Sequence, residues 1–107
     1  MKKIVNFTLR KIIHLTFKGN IDFSFSAQVQ LLEDALTQTH VLEAIVNSIS
    51  FKTKKSKSIK RKSKENIYIL EGETFDGVLL YIKGLIRKHG EEEEIFFIIS
   101  AKKSKPS

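Results

Sequence analysis

The sequence of 107 residues contains no cysteine. Disulfide bonds, zinc–thiolate sites and thiol nucleophiles are therefore excluded, which agrees with a reducing compartment. No apolar run approaches the roughly 18 residues that a membrane-spanning helix needs. Asn6, Thr8, Arg10 and Lys11 interrupt any secretory signal soon after the start. We therefore expect a cytoplasmic protein without a membrane partner.

Recognisable nucleotide and hydrolase motifs are also missing. The sequence has no glycine-rich phosphate loop, no nucleophile elbow and no dinucleotide-binding fingerprint. Its three histidines have no metal-ligand spacing, so we predict no metal site. A chain of this length can bury about two-thirds of its unfolded surface, so we expect residues 1–107 to form a single domain.

Positive charge is concentrated in one segment. The net charge is +7, and residues 52–64 hold eight lysines and arginines without an acid, while the rest of the chain has eleven bases and twelve acids. A local excess of this kind points to a partner, and a polyanion is the obvious one. The candidate nucleic-acid-binding residues are Lys52, Lys54, Lys55, Lys57, Lys60, Arg61, Lys62 and Lys64.

Two interpretations of this basic segment stay open. It is either a solvated loop (or frayed hairpin) or a flexible arm for nucleic acid. They are compatible, because basic arms often become ordered on a polyanion. Residues 102–107 repeat the basic and serine-rich character and predict a mobile tail.

Apolar residues recur at helical spacing in the first half of the chain. A first helix is predicted over residues 4–18, ending at Gly19, and residues 21–25 form an extended link. Ser26 is a candidate cap for a second helix, and Thr37 or Thr39 for a third. The residues expected to face inward are Val5, Leu9, Ile12, Ile13 and Phe17, then Val29, Leu32 and Leu36, then Val41, Leu42, Ile45 and Ile49.

Three short runs of β-branched and aromatic residues follow, at positions 67–70, 78–82 and 95–99. Asp76-Gly77 supplies one turn and residues 87–91 the other. These connections are too short for helical crossovers. The predicted fold class is α+β, with two or three N-terminal helices packed on an antiparallel three- to four-stranded β-meander. The core is expected to join Leu9, Ile12, Ile13, Val41, Leu42 and Ile45 to Leu80, Ile82, Phe97 and Ile99.

Several short stretches occur in the same order as the motifs of a known family. They are residues 12–15 (IIHL), 19–23 (GNIDF), 24–27 (SFSA), 41–45 (VLEAI), 68–72 (YILEG) and 74–77 (TFDG). Together they resemble a family of uncharacterised bacterial domains in the RelE/ParE toxin superfamily, and residues 97–103 (FIISAKK) resemble the end of BrnT toxins. The chain departs from the family at Ser26, where histidine is usual, and at Asp34, where arginine is usual.

The resemblance implies a bacterial toxin that acts on RNA or the ribosome and is held by an antitoxin. It implies a metal-independent endoribonuclease without a cofactor, built from lysine, arginine and tyrosine. On and after its second predicted strand this sequence offers Tyr81, Lys83, Arg87 and His89 as candidate catalytic residues. The alternatives are a catalytically degenerate nucleic-acid-binding module or a protein-interaction domain on the same fold.

Each candidate also has a structural interpretation. Tyr81 and Lys83 share a face of their strand, where the tyrosine could pack and the lysine extend to water. His89 precedes a glycine and suits a turn, and His14 and His40 suit structural positions. A meander puts Lys83 to His89 at one end of the sheet and Lys102 and Lys103 at the other, so no compact site is expected to hold both groups. The acidic residues 91–94 are expected to form a solvated turn.

Overall fold

The structure is a computed structural model that describes residues 6–55 and 65–104, without the side chain of His89. This part of the chain contains three helices and five strands. In chain order they are α1 (Phe7–Lys18), β1 (Ile21–Phe23), α2 (Phe25–Glu33), α3 (Gln38–Val46), β2 (Ser48–Lys55), β3 (Asn66–Glu73), β4 (Leu79–His89) and β5 (Glu93–Lys103).

Polar caps define the ends of the helices. The Asn6 side chain accepts hydrogen bonds from two N–H groups in the first turn of α1, and Gly19 ends the helix at a φ of 79°. The predicted cap Thr37 is confirmed, and His40 completes a capping box with it. The predicted cap Ser26 is wrong, because Ser24 accepts from the Ala27 N–H and starts α2 two residues earlier. None of the described helices is long and apolar enough to cross a membrane.

The five strands form one mixed sheet in the order β1-β5-β4-β3-β2. Consecutive strands from β2 to β5 pair antiparallel, whereas β1 pairs parallel with β5. The prediction of an α+β protein is confirmed. The sheet differs from the predicted antiparallel three- to four-stranded β-meander, because the expected link at 21–25 contributes a fifth strand, which pairs parallel with residues 96–98.

Two segments predicted to be irregular are also partly strand. Lys52 to Lys55 are the end of β2, where they pair with residues 66–69 of β3. Lys102 and Lys103 are the end of β5, where they pair with Tyr81 and Leu80. Backbone pairing with a neighbouring apolar strand therefore orders both basic stretches. The remaining residues of the predicted loop up to Lys64, and of the predicted tail from Lys105, lie outside the described residues.

The helices pack on one face of the sheet. This core joins buried residues of α1 and α3 to alternate residues of β3, β4 and β5. The strand residues in the core are Leu70, Leu80, Ile82, Phe96, Ile98 and Ala101. The expected core residues Phe97 and Ile99 are wrong, because the unbroken apolar run at 95–99 does not reveal which alternate set faces the helices.

Some predicted inward residues on the helices are exposed. Because α2 starts at Phe25, its buried residues are Ala27 and Leu31, and Leu32 is 80% exposed. On α1 the last buried residue is Thr16, and the side chain of Phe17 is exposed. Ile49 belongs to β2 rather than to α3 and is also exposed. Val5 lies outside the described residues.

The outer edge of β5 obtains hydrogen bonds from α2 beyond the end of β1. The Ser24 N–H donates to the Ile98 carbonyl at 2.8 Å. The side-chain oxygen of Gln30 (Oε1) then accepts from the Ala101 N–H at 2.9 Å and from the Ser100 hydroxyl at 3.0 Å. Asp34 accepts from the Lys103 N–H at 2.9 Å. The side chain of Gln30 in α2 and that of Asp34 just after the helix thus replace a neighbouring strand.

Replacing Gln30 should therefore weaken the fold. In Gln30→Leu the buried Ala101 N–H loses its acceptor, so the free energy of unfolding should fall by about 1–3 kcal/mol. Gln30→Glu keeps an acceptor oxygen and should retain most of the stability. Gln38→Leu, at an exposed position of α3, is the matched control. Urea unfolding of the three variants checks this, and equal stability for Gln30→Leu and Gln38→Leu would contradict it.

Candidate functional site

The face of the sheet opposite the helices, called the open face below, carries both cations and apolar side chains. Directly paired residues share a face, and the pairing aligns Lys52, Ile69 and Lys83 in one row across three strands. The next row joins Glu71, Tyr81 and Lys102. By alternation and pairing, the open face includes Ser50, Lys52, Lys54, Ile67, Ile69, Glu71, Tyr81, Lys83, Leu85, Arg87, Ile95, Phe97 and Lys102.

Tyr81 lies between two lysines on this face. The Lys83 ammonium is 5.7 Å from the centre of the tyrosine ring, and the Lys102 ammonium is 6.0 Å from it. Both distances fall within the range of cation–π attraction. The three side chains, with Lys103 and Ser104, line a shallow depression of about 400 Å³. This group is called the Tyr81 site below.

The composition of the Tyr81 site differs from the sequence-based expectation. Lys83 was expected at the opposite end of the sheet from Lys102 and Lys103, and this expectation is wrong. Tyr81 pairs directly with Lys102, and Lys83 pairs with Ser100 only two residues away. The strands β4 and β5 are each eleven residues long, so their overlap extends well past the short apolar runs seen in the sequence.

Glu71 is a candidate residue that the sequence analysis missed. It lies on β3 directly opposite Tyr81, and its side chain is half-buried. Its carboxylate accepts a hydrogen bond from the Ser104 hydroxyl at 2.9 Å. Strand alternation alone puts Ile69 and Glu71 on one face, but only the register of β3 against β4 places Glu71 directly opposite Tyr81.

Arg87 and His89 do not belong to the Tyr81 site. Arg87 shares the open face with Tyr81 but is six residues further along β4, about 20 Å away in an extended strand. Its guanidinium carbon lies 4.7 Å from the centre of the Phe97 ring. The backbone of His89 pairs with Glu93 at the end of β4, and its side chain lies outside the described part of the chain.

The basic segment contributes to the open face in part. Lys52 and Lys54 lie opposite Ile69 and Ile67, which puts both on the open face, and Lys55 lies opposite Asn66. All three are exposed. The other predicted nucleic-acid-binding residues lie outside the described residues, namely Lys57, Lys60, Arg61, Lys62 and Lys64.

The two positions that depart from the family pattern differ in their surroundings. Ser26 is exposed in the first turn of α2. The Asp34 carboxylate accepts a hydrogen bond from the Lys103 N–H and so helps to fix the end of β5 that contributes to the Tyr81 site. His40 lies at the start of α3, with its ring 3.6 Å from the Asp76 carboxylate, which agrees with the structural role predicted for it. No group of three potential ligands in residues 6–55 and 65–104 is arranged to hold a metal ion.

No family model, curated protein or solved structure matches this chain. The resemblance to the RelE/ParE toxin superfamily therefore stays a prediction. What the open face does must follow from the chemistry of its own residues.

Proposed function

We propose that the open face binds RNA and that the Tyr81 site cleaves it, as expected for a toxin of a bacterial toxin–antitoxin pair. The observation that carries the proposal is the Tyr81 ring flanked by Lys83 and Lys102, with the Glu71 carboxylate opposite. An aromatic ring, two cations and a carboxylate on one accessible surface meet the chemical needs of both steps.

Binding would use the alternation of rings and cations on the open face. Lysines neutralise phosphates and release counterions, which supplies affinity without regard to sequence. An aromatic ring offers a surface on which any unpaired base can stack. Lys52 and Lys54 on β2 extend the positive surface away from Tyr81 towards the basic segment.

Cleavage would follow the route that uses the ribose 2′-hydroxyl. That hydroxyl gives its proton to Glu71 while its oxygen attacks the adjacent phosphorus, and the bond to the 5′-oxygen breaks. The leaving oxygen takes the proton of the Tyr81 hydroxyl. Lys83 and Lys102 stabilise the negative charge that builds up on the phosphate. The products are a cyclic phosphate and a 5′-hydroxyl, and side chains alone supply every proton transfer.

A second candidate function is RNA binding without cleavage. The departures at Ser26 and Asp34 favour it, since Asp34 is engaged with the backbone of β5 rather than directed to the open face. A protein-interaction role through the edge strand β2 has less support. Exposed lysines on an edge strand oppose the addition of another strand, and Lys52, Lys54 and Lys55 are all exposed.

Cleavage can be tested by removing single functional groups. Glu71→Gln removes the proton acceptor but keeps the shape, so RNA cleavage should fall by about 10²- to 10⁴-fold while RNA affinity changes little. The double change Tyr81→Phe with Lys83→Ala should abolish cleavage and relieve growth arrest when the protein is expressed alone. Glu73→Gln, an exposed carboxylate two residues along β3, is the matched control.

The outcomes separate the two candidate functions. Cleavage by wild type and Glu73→Gln, with loss in Glu71→Gln, supports the toxin proposal. If wild type and every variant bind RNA but none cleaves it, the non-catalytic module is favoured. Growth arrest that persists in the Tyr81 and Lys83 double variant would place the activity elsewhere in the chain.

RNA binding can be tested through its salt dependence. For single strands, log K falls with log salt by about 0.7 per phosphate neutralised. Lys52→Ser with Lys54→Ser should reduce that slope by about 1.4, because both lysines lie on the open face. Lys18→Ser with Lys88→Ser removes the same charge from other exposed positions and should leave the slope nearly unchanged. Filter binding across a salt series provides the measurement.

The basic segment beyond β2 can be tested in the same assay. Lys60, Arg61 and Lys62 changed together to serine should reduce the slope by about 2 and weaken all RNA sequences alike. Circular dichroism on the same samples should show an unchanged fold, because solvated positions shift stability by no more than about 0.5 kcal/mol. An unchanged slope in a folded variant would mean that the segment does not touch RNA.

A further inference from the structure

The pair formed by Arg87 and Phe97 is not used by the proposed chemistry. The guanidinium carbon of Arg87 lies 4.7 Å from the ring centre of Phe97, and the arginine itself is exposed. Directly opposite Phe97 on β4, Leu85 has no exposed surface although it faces away from the helices. The open face therefore carries a second, locally packed group with a planar cation at its surface.

This group lies on the same strand and the same face as the Tyr81 site. Alternate residues of β4 run from Tyr81 through Lys83 and Leu85 to Arg87, over about 20 Å. An RNA strand laid along β4 from Tyr81 would thus pass a cation, then an apolar residue, and then the guanidinium. That distance is too great for one nucleotide to reach both groups, but a short strand spans it.

We propose that Arg87 and Phe97 form a second subsite, which binds an unpaired nucleobase of the strand whose other end occupies the Tyr81 site. The inference rests on the proposed RNA-binding function. Arginine planes and aromatic rings are the groups on which proteins stack splayed bases, and the positive charge beside the ring adds attraction for the flanking phosphate. A base in a duplex is stacked on its neighbours and would not occupy the subsite.

Arg87→Lys tests the subsite because it keeps the charge and removes the plane. The short probe is an adenylate dinucleotide, which cannot cover the roughly 20 Å between the two groups, and the long probe is an oligoadenylate of about 12 nucleotides, within the range of known single-strand site sizes. The long probe reaches both subsites and should bind Arg87→Lys about 5- to 100-fold more weakly than wild type. The short probe is held at the Tyr81 site and should change less than about twofold, because its phosphate contacts are intact. Arg10→Lys, at an exposed position of α1, is the matched control.

An optical signal keeps the two proposals apart. The chain has two tyrosines and no tryptophan, so in the Tyr68→Phe background light absorbed by tyrosine excites Tyr81 alone. Both probes should quench Tyr81 in this background, with or without Arg87→Lys. Phe97→Leu, with its folding checked by urea unfolding, should reproduce the loss for the long probe.

The expected pattern is weaker binding of the long probe alone in Arg87→Lys and Phe97→Leu. Unchanged binding of the long probe in folded Arg87→Lys, with Tyr81 still quenched, would overturn the subsite and leave the proposed function standing. It would mean that Arg87 only shields Phe97 from water. No quenching and no binding of either probe would overturn both. If wild type bound the long probe equally well as a single strand and as a duplex with its complementary strand, the subsite would also be overturned.

Discussion

The outer edge of β5 must find hydrogen-bond partners along its whole length, and much of the fold follows from how it does so. At one end the Phe96 N–H donates to the Asn20 carbonyl, and β1 continues the pairing in parallel. Beyond β1 the acceptors are the side chains of Gln30, in α2, and of Asp34, the residue that follows α2. A strand this apolar could not leave its edge unpaired without a penalty in stability and a tendency to aggregate. The position of α2 is therefore tied to β5 by hydrogen bonds as well as by packing.

A bulge in β5 decides which side chains reach the open face. Gly84 pairs with Ile98, but its neighbour Lys83 pairs with Ser100, so Ile99 is an extra residue. The extra residue shifts the alternation by one. Ala101 joins Ile98 in the core, and Lys102 turns to the open face. Without the bulge, Lys102 would point towards the helices.

A glycine supports the register on the other side of the bulge. The ring of Phe96 occupies the space where a Cβ of Gly84 would lie. A larger residue at this position would push the ring away or alter the pairing of β4 with β5. Bulges are common beside functional sites because they redirect single side chains. Here the redirected residue completes the pair of lysines around Tyr81.

Sequence reasoning identified the elements better than it identified their partners. The end of α1 at Gly19 and the cap of α3 at Thr37 were predictable, because glycine in the left-handed region and threonine at an N-cap are local choices. The parallel pairing of β1 was not, since three residues carry no signal of which distant strand they join. The buried set on β5 was missed for a related reason: five consecutive apolar residues satisfy either face.

The candidate site shows the same division between local and distant information. Tyr81 and Lys83 could be assigned to one face from their spacing alone. Glu71 and Lys102 join them only through the registers of two different strand pairs, and one of those registers contains a bulge. The basic segment was visible from composition, but its division into a strand and residues beyond it depends on pairing with β3.

Apolar side chains on the open face are surrounded by charged ones. Ile67, Ile69, Leu85 and Phe97 lie on a side of the sheet that the helices leave uncovered, and apolar patches of this kind promote association. The charged side chains around them have long apolar stems that can cover such surface while their charges stay in water. The position of Arg87 over Phe97 and the burial of Leu85 fit this arrangement. The same cations that cover the apolar surface supply the positive potential that the proposed binding of RNA would require, so both roles would need charged side chains at these positions.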